Sequence, residues 1–169
     1  TPDSSRDYSR RVFDTPEQAL DALDVVRGPH IRNAMDVLHK YDPPGAFDRL
    51  PQDARNKILR ALEVWSTADD PDIRRDALTM GLQWDFARFA PRALDAILAG
   101  SVNAGWVAGR FFEHGDKLTA ADVAKIEKAI RACRGTYDAR AFFEALSRCP
   151  LDAAAAVLAA FARDDDPCL

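Results

Sequence analysis

Amphipathic stretches of helix length, each opened by a capping residue and closed by glycine or proline, restart at near-regular intervals along this 169-residue chain. Taken alternately, one set of starts falls near Thr15, Leu50, Phe89, Thr119 and Leu151, spaced 35, 39, 30 and 32 residues apart. The other falls near Gly28, Asp70, Ser101 and Thr136, spaced 42, 31 and 35 apart. Intervals of this size belong to two-helix repeats, in which one hairpin cannot bury both its faces and neighbours stack to share a core. No stretch alternates apolar and polar residues between hairpin turns, so no strand is expected.

The local signals are specific. "TPEQALDALDVVRG" has Thr15 as N-cap, Pro16 at the first helical position, Glu17 in the first turn and Gly28 at the end. Ile31, Ala34, Met35 and Leu38 form one buried stripe, and Asp42-Pro43-Pro44-Gly45 breaks the chain after it. Ala54, Ile58, Leu62 and Trp65 share the next face. Asp70 then caps a helix whose inward residues are Ile73, Ala77 and Leu78. "FAPRALDAILAG" ends at Gly100, Ser101 caps a helix running to Gly115, and Thr119 caps one with Val123, Ile126 and Ile130 as its stripe. Phe142, Phe143 and Leu146 follow, stopped by Pro150, and an alanine-rich helix closes the chain. Thr1–Phe13 is polar and aperiodic and is expected to fray, which leaves 14–169 as a single all-helical domain.

"DPDIRRDAL", Asp70 to Leu78, resembles the start of the second helix in HEAT repeats, where an Asp-Pro turn precedes Ile or Val and then an Arg and an Ala. "GPHIRNAMDVL" is a looser echo, and the other repeats match in helix spacing only. The resemblance implies a short right-handed solenoid of about four HEAT-like hairpins plus a terminal helix. It implies little about activity, since such repeats serve unrelated functions. A compact, non-repeating helical bundle is the alternative.

A net charge of -4 argues against a nucleic-acid coat protein, which needs a basic footprint. The charge is uneven: residues 1–85 carry 12 Lys/Arg against 16 Asp/Glu, and the remainder is neutral, so a basic protein partner is favoured over nucleic acid. Cys133, Cys149 and Cys168 are odd in number and lack CxxC spacing, which points away from a disulfide framework or zinc site and toward a reducing cytoplasm. The longest apolar run, Ala153 to Ala162, is far short of the roughly 20 residues that span a bilayer, so a soluble protein without a membrane partner is expected. That run is nearly uncharged between Asp152 and Arg163, whereas a terminal repeat should be polar outside, so self-association or a partner is expected to cover it.

Catalytic signatures are sparse. His30, His39 and His114 show no metal-ligand spacing, and no metal or cofactor is expected. Gly105 and Gly109, four apart in "GWVAGR", suit a close helix–helix approach, or else a groove beside Trp106 and Arg110. Asp69, Asp70, Asp72 and Asp76 cluster at one helix start, where they complement the dipole. Trp84-Asp85 has some likeness to the alkylpurine DNA glycosylases built from HEAT-like repeats, which use aromatic residues and an Asp in a concave cleft; a core Trp and a capping Asp is the simpler reading.

In two-helix solenoids the second helices commonly line the concave surface. The candidate partner-binding residues off their buried stripes are Arg32 and Asp36; Asp72, Arg75 and Asp76; Asn103, Trp106 and Arg110; and Tyr137, Asp138, Arg140 and Glu144. Arg, Trp and Tyr mixed with acids suit a protein partner. The expectation is a non-catalytic interaction module, for instance an immunity or inhibitor protein that blocks a toxin. The competing readings are a glycosylase-like DNA-repair enzyme or lyase subunit, and a scaffold in a larger assembly.

Overall fold

Most of the helices begin at a side chain that satisfies the otherwise orphaned amides of the first turn. The computed structural model describes residues 13–132 and 137–163. Among these residues the regular elements are all helical, with no strand. The chain divides into two compact units, Thr1–Thr67 and Ala68–Leu169.

The first unit holds α1 (Pro16–Ala22), α2 (His30–Leu38) and α3 (Gln52–Trp65). Thr15 and Gln18 cap α1 reciprocally: the Thr15 hydroxyl accepts from the Gln18 amide at 3.3 Å, and Gln18 Oε1 accepts from the Thr15 amide at 3.3 Å. The helix ends at Ala22 rather than Gly28, because the Ala22 carbonyl takes the Val25 and Val26 amides at 2.9 and 3.1 Å and closes the ladder in a tight turn. Leu23 and Val26 stay buried through that turn, so the apolar pattern outlasts the helix. Gly28, at φ +57°, supplies the left-handed residue just ahead of α2. Ile31, Ala34, Met35 and Leu38 form the buried face of α2, and α1 packs against both α2 and α3. Of the segment expected to fray, only Phe13 lies among the described residues. It is buried, and its amide donates to Asn33 Oδ1 at 2.8 Å.

The second unit holds α4 (Pro71–Trp84), α5 (Phe86–Leu98), α6 (Ala104–Glu113), α7 (Ala120–Ala132), α8 (Tyr137–Arg148) and α9 (Asp152–Ala162). α4 packs on α5 and α6, α5 on α7, α6 on α8, and α7 and α8 on each other and on α9. Asp70 caps α4, accepting from the amides of Asp72 and Ile73 at 2.8 and 3.3 Å, with Ile73, Ala77 and Leu78 buried. Asp85 closes α4 and caps α5, so α5 starts at Phe86, ahead of the expected Phe89, and contains Pro91. Ser101 is not the cap of α6. Its hydroxyl donates to the Ala96 carbonyl at 3.0 Å, finishing α5, and Asn103 caps α6 instead. Thr119 and Asp122 bond reciprocally at the start of α7.

Two glycines and three phenylalanines set the spacing of these helices. A Cβ on Gly81 would lie 2.2 Å from Cδ1 of Phe89, so α4 and α5 approach closely only because none is there. A Cβ on Gly115 would lie 2.3 Å from the Ala145 carbonyl oxygen, which is how the turn after α6 seats on α8. Phe86, Phe111 and Phe142 form a run of rings with centroids 5.4 and 5.6 Å apart, linking α5, α6 and α8. With Ala104, Val107, Ala108 and Phe111 turned inward, the opposite side of α6 faces solvent, and it carries Gly105, Trp106 and Gly109.

Candidate binding surface

Trp106 is 68% exposed, a large aromatic left in water on a helix whose other side is fully packed. The guanidinium of Arg75, on the neighbouring α4, lies over its ring, 5.3 Å from the centroid. Two carboxylates hold that guanidinium in place. Arg75 Nε donates to Asp76 Oδ1 at 2.8 Å, and Nη1 donates to Asp72 Oδ1 at 2.9 Å. The hydrogen bond to Asp76, with the negative charge of both carboxylates, holds the guanidinium above its ordinary range and keeps it charged at any working pH. Thr79 donates to the Arg75 carbonyl at 2.9 Å from the next turn. Four of the candidate residues, Asp72, Arg75, Asp76 and Trp106, are therefore one physical cluster.

The base of the cluster is braced by Arg74, which points the other way. Its Nη1 donates to the carbonyls of Ala68 and Asp69 at 2.7 and 3.0 Å, and its Nη2 donates to the Ser101 carbonyl at 3.1 Å.

The other candidates have different surroundings. Asn103 is spent on capping: its Oδ1 accepts from the Gly105 amide at 2.8 Å. Arg110 pairs with Glu113 on its own helix at 3.0 Å, and Arg140 with Glu144 at 2.9 Å. These are exposed intrahelical pairs of the kind that contribute a few tenths of a kcal/mol, about 0.3–0.5. Arg32 and Asp36 are exposed on α2 in the first unit. Tyr137 and Asp138 open α8, and their side chains lie outside the described residues.

Gly105 and Gly109 do not serve the close helix approach that their spacing suggests. Both are exposed, and a Cβ on Gly109 would meet nothing within 4 Å. They leave bare backbone beside the indole. Their spacing alone does not fix which way the pair faces; the usable signal is that Gly109 is three residues from Trp106 and so shares its outer face.

Asp85, paired in the sequence reading with Trp84 as a catalytic candidate, uses its carboxylate to accept from the Arg88 amide at 3.3 Å, and Trp84 is half-buried. His39 Nδ1 bonds Asp42 Oδ2 at 2.6 Å. His114 stacks at a tilt on Phe86, 5.0 Å between centroids, and burial, with Lys117 nearby, holds it below its ordinary range. Among the described residues no three His, Cys, Asp or Glu side chains stand close enough to hold a metal ion. No helix among them is long and apolar enough to cross a membrane. On α9, Ala154 and Phe161 are buried while Ala153, Ala155, Ala156, Ala159 and Ala160 are exposed, so the side expected to be covered is uncharged and open. Cys149 is a half-buried free thiol, and Cys133 and Cys168 lie outside the described residues. No protein-family model, curated protein or solved structure matches the chain.

Proposed function

We propose that this chain is a protein-binding module that recognises its partner through the outer faces of α4 and α6, centred on Trp106. The observation that carries the reading is the exposed indole, fixed by Arg75 and two carboxylates and flanked by bare glycine backbone. An exposed Trp costs a free monomer solubility and supplies most when a partner buries it, which is why Trp and Arg dominate interface hot spots. The side chains around it are already ordered, so less rotamer entropy is lost on binding.

A HEAT-like solenoid within the second unit is part of the same proposal. Packing of α4 on α6 and α6 on α8, beside α5 on α7 and α7 on α9, supports two stacked helix layers. The cap at Asp70 and the burial of Ile73, Ala77 and Leu78 support this reading of Asp70 to Leu78. In that arrangement α4, α6 and α8 line one side, and the cluster lies on it. An inhibitor of the immunity type, covering the basic site of a toxin, is a concrete form of this module.

The test is recovery of partners by tagged protein from its native cells, after nuclease treatment, comparing the wild type with Trp106→Ala. Recovery of one stoichiometric protein, lost with Trp106→Ala while helicity and melting temperature hold, is the expected result. Loss of an interface Trp of this kind costs about 2 kcal/mol or more, roughly a thirtyfold weakening. A partner that Trp106→Ala retains, or recovery of nucleic acid alone, refutes the reading.

A further inference from the structure

We infer that Arg148 is the receptor for a single carboxylate, an Asp or Glu side chain presented by a protein partner. The inference goes beyond the Trp106 surface and does not depend on it. Arg148 lies in the last turn of α8, and its guanidinium sits over the ring of Phe112 on α6, 3.8 Å from the centroid. The base of the side chain is seated as well. A Cβ on Gly115 would lie 2.9 Å from Cβ of Arg148, so the stem rests against the turn after α6 only because that position is bare. Packing therefore fixes both the stem and one face of the guanidinium. A guanidinium held by its face keeps its N–H donors, which lie in its plane, directed outward. Arg148 is exposed, and among the described residues its guanidinium takes part in no hydrogen bond or ion pair.

The acids that could fill that edge are engaged elsewhere. Glu144, one turn earlier on α8, accepts from Arg140 Nε at 2.9 Å, and Glu113, beside Phe112, accepts from Arg110 at 3.0 Å. Each of those pairs cancels, as do the adjacent Asp116 and Lys117, so Arg148 carries the uncompensated charge of this flank. The contrast with Arg75 is direct. Both guanidinium groups cover an aromatic ring of α6, but the N–H edge of Arg75 is occupied by Asp76 and Asp72. A planar fork with a free edge matches the two oxygens of a carboxylate. One net positive charge suits one acidic side chain, whereas a nucleic-acid backbone calls for several cations in a row. The site also adjoins the glycine strip. Phe112 lies about 120° around α6 from Trp106, with Gly105 and Gly109 in the arc between them.

The experiment selects from a random peptide library on the immobilised full chain, then measures each enriched peptide against the wild type, Arg148→Gln and Trp106→Ala by fluorescence anisotropy. The expected result is a class of peptides that share an Asp or Glu and lose about tenfold in affinity with Arg148→Gln, the size of a lost charge-assisted hydrogen bond. Changing the shared acid to Asn or Gln should cost the same factor, and no further loss should follow when both changes are combined. Phe112→Leu, which removes the ring but leaves the charge, should weaken these peptides about two- to fivefold. Because Arg148 is exposed, Arg148→Gln should keep the helicity and melting temperature of the wild type. No peptide that distinguishes Arg148→Gln from the wild type, or distinguishing peptides without a shared acid, overturns the inference. If every enriched peptide is lost with Trp106→Ala and kept by Arg148→Gln, the Trp106 surface stands and the carboxylate site is refuted. If acidic peptides depend on Arg148 and none on Trp106, the carboxylate site stands and the Trp106 reading fails.

Discussion

Adding one methyl group at Gly109 should stabilise the protein, and adding the same group at Gly81 should destabilise it. Both glycines lie within helices, so replacement by alanine recovers about 1 kcal/mol of helix propensity at either position, through the backbone entropy that alanine does not have to lose. At Gly109 nothing opposes the gain, since the new Cβ meets no heavy atom within 4 Å. At Gly81 the new Cβ would lie 2.2 to 2.5 Å from three atoms of the Phe89 ring, which is fully buried. That ring must retreat by about 1 Å or more to reach ordinary contact distance. Overpacking of this kind costs about 1–3 kcal/mol, so the net effect at Gly81 is a loss of up to about 2 kcal/mol. Urea titration followed by circular dichroism reads both. In a unit of roughly 100 residues, 1 kcal/mol corresponds to about 4–8 °C in melting temperature. If Gly109→Ala destabilises, or the two variants move together, the outer side of α6 is not the open face described, and the argument for Trp106 fails with it.

Two further outcomes follow from the core and from His114. Phe111→Ala removes the middle ring of the Phe86–Phe111–Phe142 run, which is completely buried. It should cost about 3–5 kcal/mol in urea unfolding, and a loss below about 1 kcal/mol would mean that those rings do not carry the packing between α5, α6 and α8. His114 is held below its ordinary 6.5 by burial and by Lys117, so the folded state prefers it neutral. Above pH 6.5 both states are neutral there and stability is unaffected; as pH falls below 6.5 the unfolded chain takes the proton first and stability drops. His114→Gln should lack this component, and a wild-type-minus-variant difference that stays flat from about pH 7.5 to about pH 5 contradicts the assignment.

The parts of the fold legible in the sequence are those that depend on neighbours within one turn. Thr15 with Pro16, Asp70 with Pro71, and Thr119 are caps recognisable from residue type and spacing. Ile31, Ala34, Met35 and Leu38 announce their buried face through the 3.6-residue period. Failures came where two local solutions compete. Ser101 and Asn103 are both good caps two residues apart, and the outcome depends on Ser101 finding the Ala96 carbonyl of the preceding helix. The end of α1 at Ala22 was hidden because Leu23 and Val26 remain buried in the turn that follows. The cluster at Trp106 was visible only as residue types. Arg75 and Trp106 are 31 positions apart, and their contact exists because α4 and α6 are neighbours in space.

Arg74 makes two loops into one mechanical part. By bonding the carbonyls of Ala68 and Asp69 on one side and Ser101 on the other, a single side chain couples the chain entering α4 to the chain entering α6. A displacement in either loop is passed to the other through a planar, rigid guanidinium rather than absorbed by the bend between them. The gap between Arg75 and Trp106 is thus governed from beneath, at the helix entrances. A lengthened turn around Gly100 would register as a misplaced tryptophan well before it registered as an unfolded protein.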